Sequence, residues 1–167
     1  SNFVRVFPLR CSDYFPLFCV YRTVVYQQRG SLAAVIRIIP FGIPDYRRLQ
    51  IPEEVMSVAE KTKGLVLVTG PAGGGKSTTL ACIIDRINQT REGHIITLEE
   101  PIEYLHRNAK CAISQREIGL DTESYLSGLR ASLRQAPDVI LLGEMRDLIE
   151  KSSSPVSNTR CISRLPN

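Results

Sequence analysis

The sequence predicts an α/β protein in which a parallel β-sheet carries helices on both of its faces. Three short runs, at residues 65–69, 94–98 and 139–142, have the composition of buried strands. Helical patterns with one apolar face occupy residues 77–89 and 122–134 between them. Because strands that alternate with helices are joined by crossover connections, this order predicts a doubly wound sheet.

Length and composition are those of a folded domain. The 167 residues are 43% hydrophobic, which is enough for a real core. No apolar run reaches the roughly 18 residues that a membrane span requires, and the short apolar stretch at 15–20 is a poor signal peptide. We therefore expect a cytoplasmic protein.

Charge and cysteine content indicate neither nucleic-acid binding nor a disulfide or zinc framework. The net charge of +4 comes from the two ends of the chain, whereas residues 31–147 are nearly neutral. Domains that bind DNA or RNA usually present a basic stripe, so we expect no nucleic-acid partner. The five cysteines are odd in number and include no C-x-x-C pair.

The beginning of the chain has the pattern of a small β-rich region followed by a linker. Residues 20–39 are strand-forming on both sides of a turn at 28–31, which predicts a hairpin. The segment 41–51 is irregular, follows Pro40 and contains Pro44, as a linker would. We expect a partial N-terminal sheet within residues 1–40 and a core domain over residues 52–148.

The core domain is expected to open with a helix. Pro52 suits the first helical position, and Glu53 and Glu54 suit the positive end of the helix dipole. That helix should run to about Thr62. Between the two longer helices, a further short strand is expected at residues 111–114.

A glycine-rich loop joins the first core strand to the helix at 77–89. It matches G-x-x-x-x-G-K-[ST], and its residues are Gly70, Pro71, Ala72, Gly73, Gly74, Gly75, Lys76, Ser77 and Thr78. In such a loop, backbone N–H groups close around phosphates and the helix N-terminus adds its positive end. Lys76 would supply a charge to the phosphates, and the Ser77 hydroxyl a ligand to Mg²⁺. The pattern predicts a nucleoside triphosphate site.

A second motif follows the strand at 139–142. Gly143 and Glu144 there resemble a Walker B motif whose acid is a glutamate. A carboxylate at the end of that strand holds Mg²⁺ directly or through water. The absence of an Asn-Lys-x-Asp run argues against a GTPase. Gly143 stands where transporter ATPases have their Mg²⁺ aspartate, which argues against that class as well.

A third motif resembles one protein family. Residues 96–104, Ile-Thr-Leu-Glu-Glu-Pro-Ile-Glu-Tyr, resemble the Asp box T-[IL]-E-D-P-[IV]-E of the secretion ATPase superfamily. Residues 143–147 resemble its Walker B motif G-E-[IM]-R-D. With the stretches 64–81 and 129–138, the chain is similar to type IV pilus retraction ATPases, the motors of twitching motility. The resemblance covers roughly residues 22–148 and implies a RecA-like P-loop fold.

The resemblance implies roles for several carboxylates. Glu103 corresponds to the Asp-box glutamate that serves as general base for the attacking water, and Glu99 and Glu100 belong to the same box. A carboxylate suits that task because it orients and deprotonates a water beside the γ-phosphate. Glu144 corresponds to the Walker B glutamate that acts on Mg²⁺ and its water. With Lys76, Glu103 and Glu144 are the expected catalytic groups.

The resemblance also implies an assembly. Arg29 and Arg37, with Arg22 as a third candidate, correspond to arginines that reach a neighbouring subunit's nucleotide in the family's hexamer. An arginine given in trans in this way is worth about 10³–10⁵ in rate. Each of the three is equally well interpreted as a solvated arginine of a strand.

The implied function is hydrolysis of ATP to ADP and phosphate, with Mg²⁺, coupled to pilus disassembly. The implied partners are further copies of the chain in a homo-hexamer and the pilus machinery of the inner membrane. The protein would lie at the inner face of the cytoplasmic membrane, peripherally and through those partners. ATPases of pilus extension, type II secretion and conjugation have similar boxes and remain alternatives.

Three departures from the family leave a different hypothesis open. Glu100 replaces the Asp-box aspartate. Residues 1–21 do not match the family, and neither do residues 149–167, which we expect to be a disordered tail. The family's His box and C-terminal region have no counterpart, so the C-terminal part of the fold is expected to be missing. The alternative is therefore a truncated module that binds nucleotide without turnover.

Overall fold

The computed structural model of the protein describes the backbone of residues 19–40, 42–143 and 160–164. It describes their side chains too, except those of residues 19–22, 40, 160, 161 and 164. The chain divides after Gly42 into two compact units. No helix in these ranges has the length and apolar composition that a membrane crossing requires.

The first unit contains a two-stranded antiparallel sheet. Strand β1 (Cys19–Gln28) pairs with strand β2 (Ser31–Pro40), and Gln28 lies opposite Ser31. The two residues between them, Arg29 and Gly30, have φ values of 51° and 79°. Left-handed backbone at both positions is what a tight two-residue turn between twisted strands needs. The predicted hairpin is confirmed.

The second unit opens with helix α1 (Glu53–Met56), which is shorter than expected. Pro52 precedes it as N-cap, and Glu53 and Glu54 lie in its first turn. The chain then tightens into a 3₁₀ turn over Ser57–Glu60 and is extended from Lys61. A continuous helix to Thr62 was therefore wrong.

A five-stranded sheet forms the centre of the second unit. Its strands are β3 (Gly64–Val68), β4 (Gly93–Glu99), β5 (Cys111–Glu117), β6 (Val139–Leu142) and β7 (Arg160–Arg164), in the order β3-β7-β6-β4-β5. Strand β4 is parallel to both β5 and β6, and β7 is antiparallel to both β6 and β3. Strands β3, β4, β5 and β6 thus share one direction, and β7 alone opposes it.

Strand β7 corrects two expectations. The sheet is mixed rather than wholly parallel, and residues 160–164 of the expected disordered tail are a central strand that separates β3 from β6. Ile162 is only 2% exposed and belongs to the same apolar cluster as the helix that follows β3. Burial of that side chain and ladder hydrogen bonds on both sides stabilise a segment whose composition is largely polar.

Helices cover both faces of the sheet, as the sequence predicts. Helix α2 (Lys76–Thr90) packs its apolar face, with Ile83 and Ile87, against one side. Helix α3 (Tyr125–Ser132) covers the other side and packs Leu129 there. Side chains of β4 and β6 alternate between the two clusters because successive residues of a strand point to opposite faces. Those toward α2 are Ile95, Val139 and Leu141, and those toward α3 are Ile96, Leu98, Ile140 and Leu142.

Candidate nucleotide site

The predicted motifs of the core follow three strands that end at the same edge of the sheet. Strands β3, β4 and β6 share one direction, so their carboxyl ends lie together. The glycine-rich loop follows β3, the Asp-box segment 99–104 begins at the last residue of β4, and Gly143 follows β6. The carboxyl edge of an α/β sheet is where ligands of such folds bind.

The glycine-rich loop leads directly into helix α2. Gly75 is the N-cap of that helix and has a φ of 78°, a left-handed conformation that glycine adopts without steric cost. Its carbonyl accepts the first helical bond, from the Thr79 N–H, at 2.8 Å. The unpaired N–H groups of the first turn and the positive end of the helix therefore face the loop. This arrangement favours a bound anion such as a phosphate.

Lys76 is held inside the loop. Its side chain is buried, at 9% relative exposure, and its Nζ donates to the carbonyl oxygens of Gly70 at 2.8 Å and of Pro71 at 2.6 Å. These bonds satisfy two of the three N–H donors of the desolvated ammonium and hold it against the first residues of the loop. Phosphate oxygens that enter the loop would compete for the same donor.

Ser77 and Thr78 follow Lys76 in the first turn of α2. Both are half-buried, and the Thr78 Oγ1 lies 2.8 Å from the hydroxyl of Tyr104, which follows the Asp-box glutamate. Ser77 is placed beside Lys76 in the first turn, where its hydroxyl is available to a hydrated Mg²⁺ next to bound phosphates. The donor set fits that ion, because Mg²⁺ takes few protein oxygens and keeps several waters. Within the described part of the chain, no cluster of three His, Cys, Asp or Glu side chains suggests another metal.

The acidic residues of the Asp box differ in their surroundings. Glu99 ends β4 and is buried, and its Oε1 accepts from the Thr97 hydroxyl at 2.7 Å and from Gln115 Nε2 at 3.4 Å. Glu100 is exposed at the start of the following loop, where the Glu100–Pro101 peptide is cis. Glu99 is therefore held by hydrogen bonds inside the protein, whereas Glu100 faces solvent.

Glu103 is half-buried in a segment that is fixed on both sides. The N–H of Ile102 donates to Glu117 Oε2 at 3.2 Å, and the carbonyl of Tyr104 accepts from Gln115 Nε2 at 2.9 Å. Both partners come from β5, two residues apart and on the same side of the strand. The backbone of Glu103 is thus held between two side chains of the neighbouring strand.

The end of β6 lies tight against the end of β4. The Gly143 N–H donates to the Leu98 carbonyl at 2.7 Å, and a Cβ at this glycine would stand 3.1 Å from the Cα of Glu99. Glycine at this position is therefore explained by the close approach of the two backbones. Glu144, the predicted Walker B acid, lies outside the described residues.

The predicted trans arginines belong to the first unit. Arg29 is in the hairpin turn and Arg37 is on β2, and both side chains are exposed. Arg22 is on β1, and its side chain is outside the described set. Their role stays a prediction.

Sequence reasoning missed the residues that hold the Asp-box segment. Tyr104, Gln115 and Glu117 contact it or the P-loop helix through the hydrogen bonds given above. Glu117 and Gln115 lie at alternate positions of a strand. This spacing predicts that they share one face of the sheet, but it does not predict what they contact.

Comparisons with known proteins agree with this geometry. The pattern of the type II/IV secretion system protein family matches residues 19–152. The type IV pilus retraction ATPase PilT of Pseudomonas aeruginosa is 45% identical over 128 residues, which are 77% of this chain and 37% of that protein. A twitching motility protein of Neisseria gonorrhoeae is 50% identical over 127 residues, which are 76% of this chain and 34% of that protein.

A solved structure extends the similarity to three dimensions. The pilus retraction motor PilT with bound ADP matches with a TM-score of 0.79 at 47% identity, covering 88% of this chain and 41% of that one. The chain spans between 34% and 41% of the length of these three proteins.

Proposed function

The chain belongs to the type II/IV secretion system protein family, and on that premise we propose that it binds ATP at the carboxyl edge of its sheet and hydrolyses it to ADP and phosphate. The observation that carries the proposal is the pairing of two elements at one edge. A glycine loop with a buried lysine opens α2, and the first turn of that helix is hydrogen-bonded to the segment that bears Glu103.

The chemistry follows from the charges of the substrate. The loop N–H groups, the N-terminus of α2 and the ammonium of Lys76 bind the β- and γ-phosphates and neutralise charge that grows there during transfer. A bound Mg²⁺ would supply further positive charge to the phosphates. Ser77 and Glu144 are the residues that would hold it.

Glu103 is the proposed general base. A carboxylate in this position accepts a proton from a water aligned with the γ-phosphorus, and the fixed backbone on both sides keeps it in position. Most of the rate in phosphoryl transfer comes from positioning and electrostatic stabilisation, so a firmly held base is what the reaction requires.

The whole protein is proposed to be a motor of type IV pilus retraction, as its relatives' names suggest. It would act as a homo-hexamer in the cytoplasm, attached to the inner face of the membrane through the pilus machinery. Arg29 and Arg37, with Arg22, are the proposed contributions to a neighbour's site. Pilus-extension, type II secretion and conjugation ATPases are the alternative assignments within the same superfamily.

The test is steady-state ATPase activity of the purified chain with Mg²⁺, beside calorimetric nucleotide binding. Lys76→Ala should weaken ATP binding by about 100-fold or more, because the phosphates lose a charge worth several kcal/mol in a partly buried site. Glu103→Gln should bind ATP as the parent does and lose turnover by about 100-fold or more, since general-base catalysis contributes about 10²–10⁴.

Three outcomes would contradict parts of the proposed function. Unchanged affinity in Lys76→Ala would contradict the P-loop site. Full turnover in Glu103→Gln would contradict the base. Binding without any turnover in the parent chain would favour the nucleotide-binding module over the motor, and size-exclusion chromatography with ATP would show whether the chain assembles.

A further inference from the structure

One side-chain contact joins the P-loop helix to the Asp-box segment. The hydroxyls of Thr78 and Tyr104 lie 2.8 Å apart although the residues are 26 positions apart in the chain. Thr78 is in the first turn of α2, next to Ser77 and two residues after Lys76. Tyr104 is the residue after Glu103. The contact therefore connects the phosphate-binding part of the site with the segment that carries the proposed general base.

The residues on either side of Glu103 are also bound to β5. The Ile102 N–H donates to the Glu117 carboxylate, and the Tyr104 carbonyl accepts from the Gln115 amide. These two bonds place the segment relative to the sheet. The tyrosine hydroxyl places the segment relative to the helix that carries the phosphate ligands.

We infer that Tyr104 is a positioning residue for hydrolysis, which sets the distance between Glu103 and the bound γ-phosphate through its hydrogen bond to Thr78. The inference rests on the proposed function, because it requires that Glu103 act on the attacking water. A displacement of about 1 Å in such a group costs about 100-fold in rate. Loss of a hydrogen bond that restricts this displacement should therefore lower kcat measurably.

A purely structural role predicts a different result. Tyr104 is half-buried and belongs to neither apolar cluster, and its ring would remain in a phenylalanine variant. The hydrogen bond is only partly buried, so loss of the hydroxyl should leave the fold intact. If Tyr104 has a positioning role, its loss lowers kcat while nucleotide affinity stays constant. If its role is structural, its loss lowers thermal stability and changes kcat and KM together.

The experiment compares Tyr104→Phe with the parent 167-residue chain. We expect kcat for Mg·ATP to fall about tenfold, while the affinity for ADP stays within about twofold. The ratio of affinities for ADP with aluminium fluoride and for ADP alone should fall by a similar factor, because that complex mimics the transition state. This ratio does not depend on multiple turnovers.

Two further variants isolate the contact. In a Thr78→Val background, Tyr104→Phe should cost no further kcat, because the bond is already absent; independent effects would multiply instead. Tyr46→Phe is the matched control. It also removes a tyrosine hydroxyl, one that donates to Glu53 at 2.8 Å and accepts from Arg47 and Arg86, but in the cleft between α1 and the later turns of α2.

The outcomes distinguish this inference from the function on which it rests. If the parent chain binds neither ATP nor ADP, the proposed function fails and the inference fails with it. If the parent is active and Tyr104→Phe matches it in kcat and in the affinity ratio, the positioning inference alone is overturned. A loss of kcat equal in Tyr46→Phe, or a loss in Tyr104→Phe that multiplies with Thr78→Val, would overturn it as well.

Discussion

Strands β3 and β4 lead to the same site but differ in how the rest of the fold supports them. Strand β4 lies inside the sheet between β5 and β6, and its residues from Ile95 to Glu99 are all buried. Strand β3 is at the sheet edge beside β7, and Leu65 and Leu67 are 61% and 53% exposed. The half of the site that carries the base is built on the interior of the sheet. The half that carries the phosphate loop is built on its margin.

This difference indicates where the fold is rigid. Local stability follows the density of buried contacts, so β4 should open only with global unfolding and β3 through smaller fluctuations. A loop that must exchange its own hydrogen bonds for those of a nucleotide tolerates such fluctuations better than a general base does.

The largest expected effect is a core truncation in β4 beside the matched truncation in β3. Leu98→Ala should lower the free energy of unfolding by about 3–5 kcal/mol, because the side chain is fully buried against α3 at Gly128. Leu67→Ala should cost less than about 1 kcal/mol, because half of that side chain is in water. Denaturant titration of both variants measures the contrast, and equal losses would contradict it.

Acid should weaken the β4 side of the molecule. His106 lies in the loop between β4 and β5, and burial lowers its pKa from 6.5 to about 4. Its backbone N–H donates to Gln115, the residue that also holds Tyr104. The unfolded chain binds a proton below about pH 6.5 and the folded chain does not, so stability falls as pH drops from 6.5 toward 4.

The expected loss is up to about 3 kcal/mol across that window, at 1.36 kcal/mol for each pH unit of pKa difference. Thermal unfolding of the parent and of His106→Gln at pH 7 and pH 4.5 measures it. The slope with pH should be smaller in the variant. The same slope in both proteins would assign the acid sensitivity to other groups.

The smallest expected effect concerns the dependence of β3 on β7. Ile162→Val removes one buried methylene and should cost about 1 kcal/mol. Hydrogen exchange in the native state should place the faster opening at Gly64–Val68, since β7 is the only strand paired with β3 among the described residues. Faster exchange spread equally over β4 would show that β3 does not depend on β7 in this way.

The sequence predicts the parts of this fold that are local. Strands β3, β4 and β6 and helix α2 were expected because each has its own apolar pattern, and the glycine loop because its spacing is specific. Gly143 was expected as part of a motif, but the backbone contact with Glu99 that requires it was not visible.

The remaining features depend on contacts between distant segments. Strand β7 has one buried isoleucine in a largely polar segment, so no local pattern marks it, and its direction is decided only by the neighbours it pairs with. The Thr78–Tyr104 contact likewise depends on how a loop of β4 returns to α2. Residue types and spacing carry no information about either.

The carbonyls of Gly70 and Pro71 accept hydrogen bonds from Lys76 and so compete with a phosphate for its ammonium. An anion that enters can take the third N–H of the ammonium directly, but it gains the other two only by replacing a carbonyl acceptor. A small ion such as inorganic phosphate makes few other contacts and should therefore bind weakly. A nucleotide has a longer chain of phosphates and further contacts, and so discrimination by ligand size is already present before the nucleoside is recognised.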